Sequence, residues 1–80
     1  MQTLDFTLRG EFITLDALLK ATGLADSGGA AKALIQAGQV QVDGREELRR
    51  GAKLRAGQVV AVSGARVRLL AAEGEGEGSA

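Results

Sequence analysis

The chain has no cysteine, histidine, tryptophan, tyrosine or proline, and its two aromatic residues are both phenylalanine. Without cysteine it can form neither a disulfide framework nor a thiolate metal site. Without histidine it lacks the side chain that most often serves general acid–base catalysis near neutral pH. Its four aspartates are scattered and are not spaced as a calcium-binding loop. These absences predict a protein that is not an enzyme and that carries neither a metal nor another cofactor.

The chain is short, and it contains no long apolar run. Eighty residues correspond to one domain, predicted here over residues 1–72. No run is long enough to span a membrane, and the N-terminus lacks a signal-peptide pattern. We therefore expect a soluble, cytoplasmic monomer without a membrane partner or a small-molecule substrate. Residues 73–80, EGEGEGSA, are predicted to form a disordered acidic tail, because glycine and glutamate bury too little apolar surface to offset ordering entropy.

The net charge of zero hides an uneven distribution of charge along the chain. Ten basic residues balance ten acidic ones, but three of the acids lie in the tail. Residues 1–72 therefore carry ten basic and seven acidic residues, a net charge of +3. The predicted domain is consequently suited to an anionic partner.

Two short helices are indicated by apolar spacing and by residues typical of helix ends. The first is predicted over residues 15–21, with Thr14 as its N-cap and Gly23 in the left-handed position beyond its end. The second is predicted to start after Ser27, its N-cap, and to close at Gly38. Its core face is predicted from the spacing of Ala31, Leu34 and Ile35.

Four strands are predicted from the alternation of apolar and polar residues, over residues 3–8, 39–42, 59–62 and 66–70. Asp43-Gly44 is a strong signal for a two-residue hairpin, because a type I′ turn needs positive φ at both positions. A second turn is predicted at residues 63–65. Phe6 and Phe12 are both predicted to lie in the core.

The start of the second helix is a candidate phosphate site. Ser27, Gly28 and Gly29 would offer free backbone N–H groups at an end that carries partial positive charge. Lys32 and Gln36 fall one turn apart on the flank that also carries Gly29, and they add a point charge and a hydrogen-bonding group. The alternative is that Ser27 only caps the helix and Lys32 is solvated.

A second candidate site follows the predicted hairpin, where eleven residues contain five cations. Such a patch can follow a sugar–phosphate backbone, and the planar arginine fork bonds two phosphate oxygens at once. The alternative is a solvated charged loop. With both phenylalanines assigned to the core, no platform for base stacking is expected, so binding should depend on the backbone and shape of a folded RNA. The cations are Arg45, Arg49, Arg50, Lys53 and Arg55.

The ordered combination of these motifs resembles a known family. Residues 13–44, ITLDALLKATGLADSGGAAKALIQAGQVQVDG, are similar to the RNA-binding domain first described in ribosomal protein S-four, also called the alpha-L motif. The shared features are Leu15-Asp16, Ser27, Leu34-Ile35, a Gly-x-Val-x-Val run and Asp43-Gly44. The stretch RRGAKLRAGQVV resembles the family's closing strand, with Gln58 in place of aspartate. The resemblance is strongest to small stand-alone bacterial members, the YbcJ/YaaA-like proteins.

The resemblance implies an α+β fold in which two short helices pack on a small curved, mostly antiparallel sheet. It also implies that RNA lies between the second helix and the hairpin. Carried over by position, the contacts would come from Ser27, Gly29, Lys32, Gln36, Arg49, Arg50 and Lys53. Many members have arginine where this chain has Thr14 and Gly28, so the helix end offers fewer contacts here.

Two functions remain open from the sequence. The first is binding of structured RNA, with ribosomal RNA or a ribosome assembly intermediate as the candidate target. The second is a protein-interaction module that docks an acidic protein partner, which the charge pattern alone does not separate from the first. The RNA hypothesis requires Lys32 and the cations beyond the hairpin to lie on one continuous electropositive surface.

Overall fold

A computed structural model describes residues 2–72 of the chain, and the predicted acidic tail lies outside the described residues. The helices match the predicted positions closely. Neither of them is long and apolar enough to cross a membrane. In chain order the elements are β1 (Gln2–Thr7), β2 (Ile13–Thr14), α1 (Leu15–Ala21), α2 (Gly28–Gln36), β3 (Val40–Val42), β4 (Arg45–Glu46), β5 (Lys53–Leu54), β6 (Val59–Val62) and β7 (Ala65–Leu70).

Five strands form one mixed sheet in the order β1-β7-β6-β3-β4. The first and last strands of the chain, β1 and β7, pair in parallel, and every other pair in this sheet is antiparallel. The remaining strands, β2 and β5, form a separate two-stranded antiparallel ladder. The arrangement is the mostly antiparallel sheet expected, with a small second ladder that the sequence did not predict.

Two tight turns set the register of the main sheet. Asp43 and Gly44 have φ of 53° and 84°, as a type I′ turn requires, and Val42 pairs with Arg45 across them. The β6–β7 turn is equally short, since Ser63 and Gly64 have φ of 37° and 80°. The prediction of a three-residue turn is wrong there, because Ala65 already pairs with Val62 and is buried as the first residue of β7.

The helices and one face of the main sheet bury a common apolar core. In α1, Leu15, Leu18 and Leu19 are fully buried, and each buried leucine contributes roughly 1.5–3 kcal/mol relative to exposure. Alternate residues of β7 point inward and outward, so the outward face carries Arg66 and Arg68. The outward face of the main sheet is therefore polar at these two positions, while its inward face joins the core.

The end of α2 is closed by a Schellman motif. The amide of Gly38 donates to the carbonyl of Ile35, and the amide of Gln39 donates to that of Leu34. Gly38 adopts a φ of 76°, the left-handed conformation that only glycine takes without strain. A Cβ at this position would also overlap the carboxylate of Glu46 in β4. This glycine therefore fixes the helix end, and the side chain of Glu46 lies beside it.

The replacement Gly38→Ala is expected to lower the free energy of unfolding by about 1–2 kcal/mol, because alanine is strained in the left-handed region. Chemical denaturation with matched m-values measures the loss. Gly10→Ala is the control, since Gly10 has open space around it and no positive φ, and it should change stability by less than about 0.5 kcal/mol. Equal effects of the two replacements would contradict this assignment.

Candidate functional site

The segment from Arg45 to Arg55, named the basic arm here, is tied to the rest of the fold by backbone hydrogen bonds at both of its ends. After β4, the amide of Glu47 donates to the carbonyl of Val40 over 3.0 Å. After a short loop, β5 pairs with β2, with Lys53 opposite Thr14. The backbone of this segment is therefore held at both ends, and most of its side chains are exposed, so the alternative of a solvated charged loop stays open.

Between these ends, the basic arm closes the N-terminus of α1. The carbonyl of Arg50 accepts from the amide of Asp16 over 3.0 Å, and the carbonyl of Ala52 accepts from the amide of Leu15 over 2.9 Å. The first amides of a helix have no partner within the helix. The basic arm therefore supplies acceptors that the helix lacks, and this fixes its own backbone beside α1.

Thr14 occupies the predicted N-cap position but does not cap the helix with its side chain. Its hydroxyl donates instead to Oδ1 of Asp16 over 2.8 Å, and the same oxygen accepts from the amide of Ala17. The hydrogen bond from Thr14 is the largest cause of a lowered pKa at Asp16, and the positive charge of Arg50 adds to it. Asp16 is therefore held ionised at the positive end of α1.

The start of α2 agrees with the prediction. Ser27 accepts a hydrogen bond from the amide of Ala30 over 3.1 Å through its hydroxyl oxygen. Among residues 2–72, no acceptor lies within bonding distance of the amides of Gly28 and Gly29. Both glycines are exposed, and so are Lys32 and Gln36. This end of α2 thus offers free donors and a cation to solvent.

The basic arm meets α2 at the opposite end of that helix. The carboxylate of Glu46 lies against Gly38, two residues beyond Gln36. Gly29 lies about 10 Å from Gln36 along the helix axis, at a rise of about 1.5 Å per residue, and Lys32 lies between these two residues. The structure thus places the basic arm near the C-terminal end of α2 and leaves Ser27 and Gly29 at the far end. That these residues form one RNA-binding surface stays a prediction.

Two of the acids in this region, Asp43 and Glu47, are occupied by local bonds. Asp43 accepts from the amide of Val59 and from the side chain of Gln58. Glu47 accepts from Nε of Arg49 at 3.1 Å, which is the main reason for the lowered pKa of Glu47. The pair is weak, because the Arg49 side chain is 81% exposed. Within the described part of the chain, no ion pair involves Arg45, Arg50, Lys53 or Arg55.

Phe12 does not lie in the core, which corrects the sequence prediction. It is 41% exposed, and the ammonium of Lys53 lies 4.9 Å from the centroid of its ring. Phe6 is half-buried against the core as expected. The pairing of Ile13 with buried Leu54 turns Ile13 inward and its neighbour Phe12 outward, and two consecutive apolar residues in the sequence do not show which of them faces the core.

A family model described as the S4 domain matches residues 6–70, which is most of the chain. The chain belongs to the S4 domain family. It is 44% identical over 59 residues to a protein of Escherichia coli K12 named putative RNA-binding protein YbcJ, covering 74% of this chain and 84% of that protein. An uncharacterised YbcJ of Shigella flexneri matches equally well.

The solution structure of Escherichia coli YbcJ is similar in fold, with a TM-score of 0.61 and 38% identity. The match covers 88% of this chain and 87% of YbcJ, whose structure is described as revealing an alpha-L motif involved in RNA binding. The likeness confirms the predicted α+β fold, two helices on a small mostly antiparallel sheet.

Hydrogen exchange should distinguish the two helix starts. We expect slow exchange at the amides of Leu15 and Asp16, because carbonyls of the basic arm accept from them, and fast exchange at Gly28 and Gly29. NMR measures the exchange rate of each amide, so one experiment compares the start of α1 with the start of α2. Equally fast exchange at all four amides would show that the basic arm is not held against α1.

The charge of Asp16 should stabilise the fold in a pH-dependent way. Asp16→Asn keeps an oxygen acceptor but removes the charge at the helix start. It should therefore lower the free energy of unfolding by about 0.3–1 kcal/mol at pH 7. Because the folded-state pKa of Asp16 is lowered, this advantage is present above its ordinary value of 3.8 and is lost as pH falls through the folded value. Urea unfolding of both proteins across acidic pH measures it, and a constant difference would contradict the assignment.

Proposed function

We propose that this protein binds structured RNA through its basic arm and the exposed flank of α2. The observation that carries the proposal is the set of exposed cations held on a backbone that hydrogen bonds fix to α1. Membership of the S4 domain family and the similarity to YbcJ, a putative RNA-binding protein, support it. The cations of the basic arm are Arg45, Arg49, Arg50, Lys53 and Arg55.

Binding on this proposal is electrostatic and depends on the shape of the RNA. The basic arm contacts one stretch of sugar–phosphate backbone, and arginine forks bond pairs of phosphate oxygens. Lys32, Gln36 and the free amides that follow Ser27 contact a second stretch. Phosphate contacts set position and affinity and carry no base sequence themselves. A folded RNA that presents two backbone segments at the right separation is the expected ligand.

The proposed cellular target is ribosomal RNA or a ribosome assembly intermediate. The origin of the family in a ribosomal protein supports this choice over an arbitrary RNA. Crosslinking in cells followed by sequencing of the bound RNA should recover ribosomal fragments enriched over their abundance. Enrichment of other RNAs would contradict the target and leave the RNA-binding proposal intact.

The contribution of the basic arm can be measured by salt titration with a folded RNA. For the unmodified protein, the logarithm of the binding constant should fall with the logarithm of salt concentration at a slope of several units. Arg50→Ala should weaken binding and reduce that slope by about one, because one phosphate contact is lost. Arg66→Ala is the matched control. It removes the same charge from the outward face of the main sheet and should leave the slope unchanged.

Lys32→Ala tests whether α2 and the basic arm engage the same RNA. The slope should fall by about one for Lys32→Ala alone and by about two when it is combined with Arg50→Ala. No binding by the unmodified protein at low salt would overturn the RNA proposal. Recovery of an acidic protein partner that persists after ribonuclease treatment would favour the protein-interaction alternative instead.

A further inference from the structure

Phe12 is an exposed aromatic residue beside the basic arm. It is 41% exposed, whereas Phe6, the other aromatic residue, packs partly buried against the core. The ammonium of Lys53 lies over the Phe12 ring at 4.9 Å from its centroid, within the range of a cation–π interaction. A single surface phenylalanine needs no explanation. Phe12 differs from such a residue, because its ring is paired with Lys53, a cation of the proposed phosphate-binding segment.

The β2–β5 ladder explains why the two side chains meet. Ile13 pairs with Leu54, and both contribute to the core, Leu54 being 2% exposed. Because side chains alternate along a strand, the residues that flank them, Phe12 and Lys53, lie on the outward face. Arg55, on the other side of Leu54, is exposed as well. The ring therefore lies on the same surface as two cations.

An open space adjoins this surface at Lys53. A shallow open cavity of about 530 Å³ is lined by Arg49, Gly51, Ala52 and Lys53. Gly51 has no other atoms within 4 Å of its Cβ position, so nothing blocks approach there. Phosphate-binding side chains thus border a recess beside an aromatic ring, the combination by which proteins hold unpaired nucleotides.

We propose that Phe12 is a stacking platform for one unpaired base of the bound RNA, with Lys53 contacting an adjacent phosphate. The flexible stem of Lys53 lets its ammonium move from the ring to the phosphate while the base takes the ring face. Phe12 has no polar atom, so it would favour an unpaired base over a paired one without selecting its identity. This inference rests on the proposed RNA binding and extends it from backbone contacts to one base.

Two substitutions at this position separate stacking from simple apolar contact. Phe12→Leu keeps an apolar side chain without a π-face, and Phe12→Trp enlarges the π-face. The probes are an RNA stem–loop with an unpaired loop and a blunt duplex of the same stem. Phe12→Leu should weaken stem–loop binding between about fivefold and about a hundredfold. It should leave duplex binding unchanged, and Phe12→Trp should bind the stem–loop at least as tightly as the unmodified protein.

The Phe12→Trp variant also gives a direct readout, because the chain has no other tryptophan. Stacking of a base on the indole should quench its fluorescence on addition of the stem–loop and not of the duplex. The slope of the salt titration should be the same for Phe12→Leu as for the unmodified protein, since no charge is lost. Leu70→Ala, at an exposed leucine on β7, is the control and should leave binding unchanged.

The outcomes separate this inference from the proposal on which it rests. If the unmodified protein binds neither RNA at low salt, the RNA-binding proposal fails and the inference fails with it. If the unmodified protein binds the stem–loop, two results would overturn the inference alone: equal affinity of Phe12→Leu, or no selective quenching in Phe12→Trp. The fluorescence readout remains decisive even if Phe12→Leu folds poorly.

Discussion

Two backbone hydrogen bonds hold the middle of the basic arm against the first amides of α1, while strand pairing holds its two ends. Carbonyls of Arg50 and Ala52 accept from the amides of Asp16 and Leu15. These amides have no acceptor within the helix, so the bonds satisfy groups that would otherwise need water or a capping side chain. The path of the basic arm between β4 and β5 is consequently tied to the start of α1.

Helix α1 also depends on the basic arm. The seven residues of α1 are too few for a stable isolated helix, so its order comes from packing and from the partners at its ends. The basic arm contributes Leu54 to the core, whereas its other leucine, Leu48, is 56% exposed. Helix and arm therefore stabilise each other. A segment ordered in this way before binding loses less conformational entropy when a ligand orders it further.

The parts of the fold that the sequence predicts well are those with local chemical causes. Asp43-Gly44 and Gly38 adopt positive φ where the turn and the helix end require it, and the local pattern was sufficient to place both. The pairing of β2 with β5 has no such local signal, because each strand has two residues and they are far apart in the chain. The outward position of Phe12 depends on that ladder, so the sequence pattern alone assigned Phe12 wrongly to the core.

The same limit applies to the candidate site. Composition identifies the cations of the basic arm, and helical periodicity places Lys32 and Gln36 on one flank of α2. Neither shows that Glu46 packs against the end of that helix or that Thr14 bonds Asp16 instead of capping. These contacts depend on how separate segments meet, which a one-dimensional pattern does not record.

Three of the acids behind the zero net charge are in the tail, and those of the domain differ in whether they pair with a cation, as Glu47 does with Arg49. On the outward face of the main sheet, Asp5 forms a two-point pair with Arg68 that neutralises that cation locally. Near the basic arm, the carboxylate of Asp43 is instead occupied by backbone and amide donors. It therefore fixes the hairpin without pairing directly with a cation. Salt screens electrostatic interactions beyond about 10 Å at physiological ionic strength. The binding of a polyanion therefore depends more on the unpaired cations near the contact than on the net charge of the whole chain.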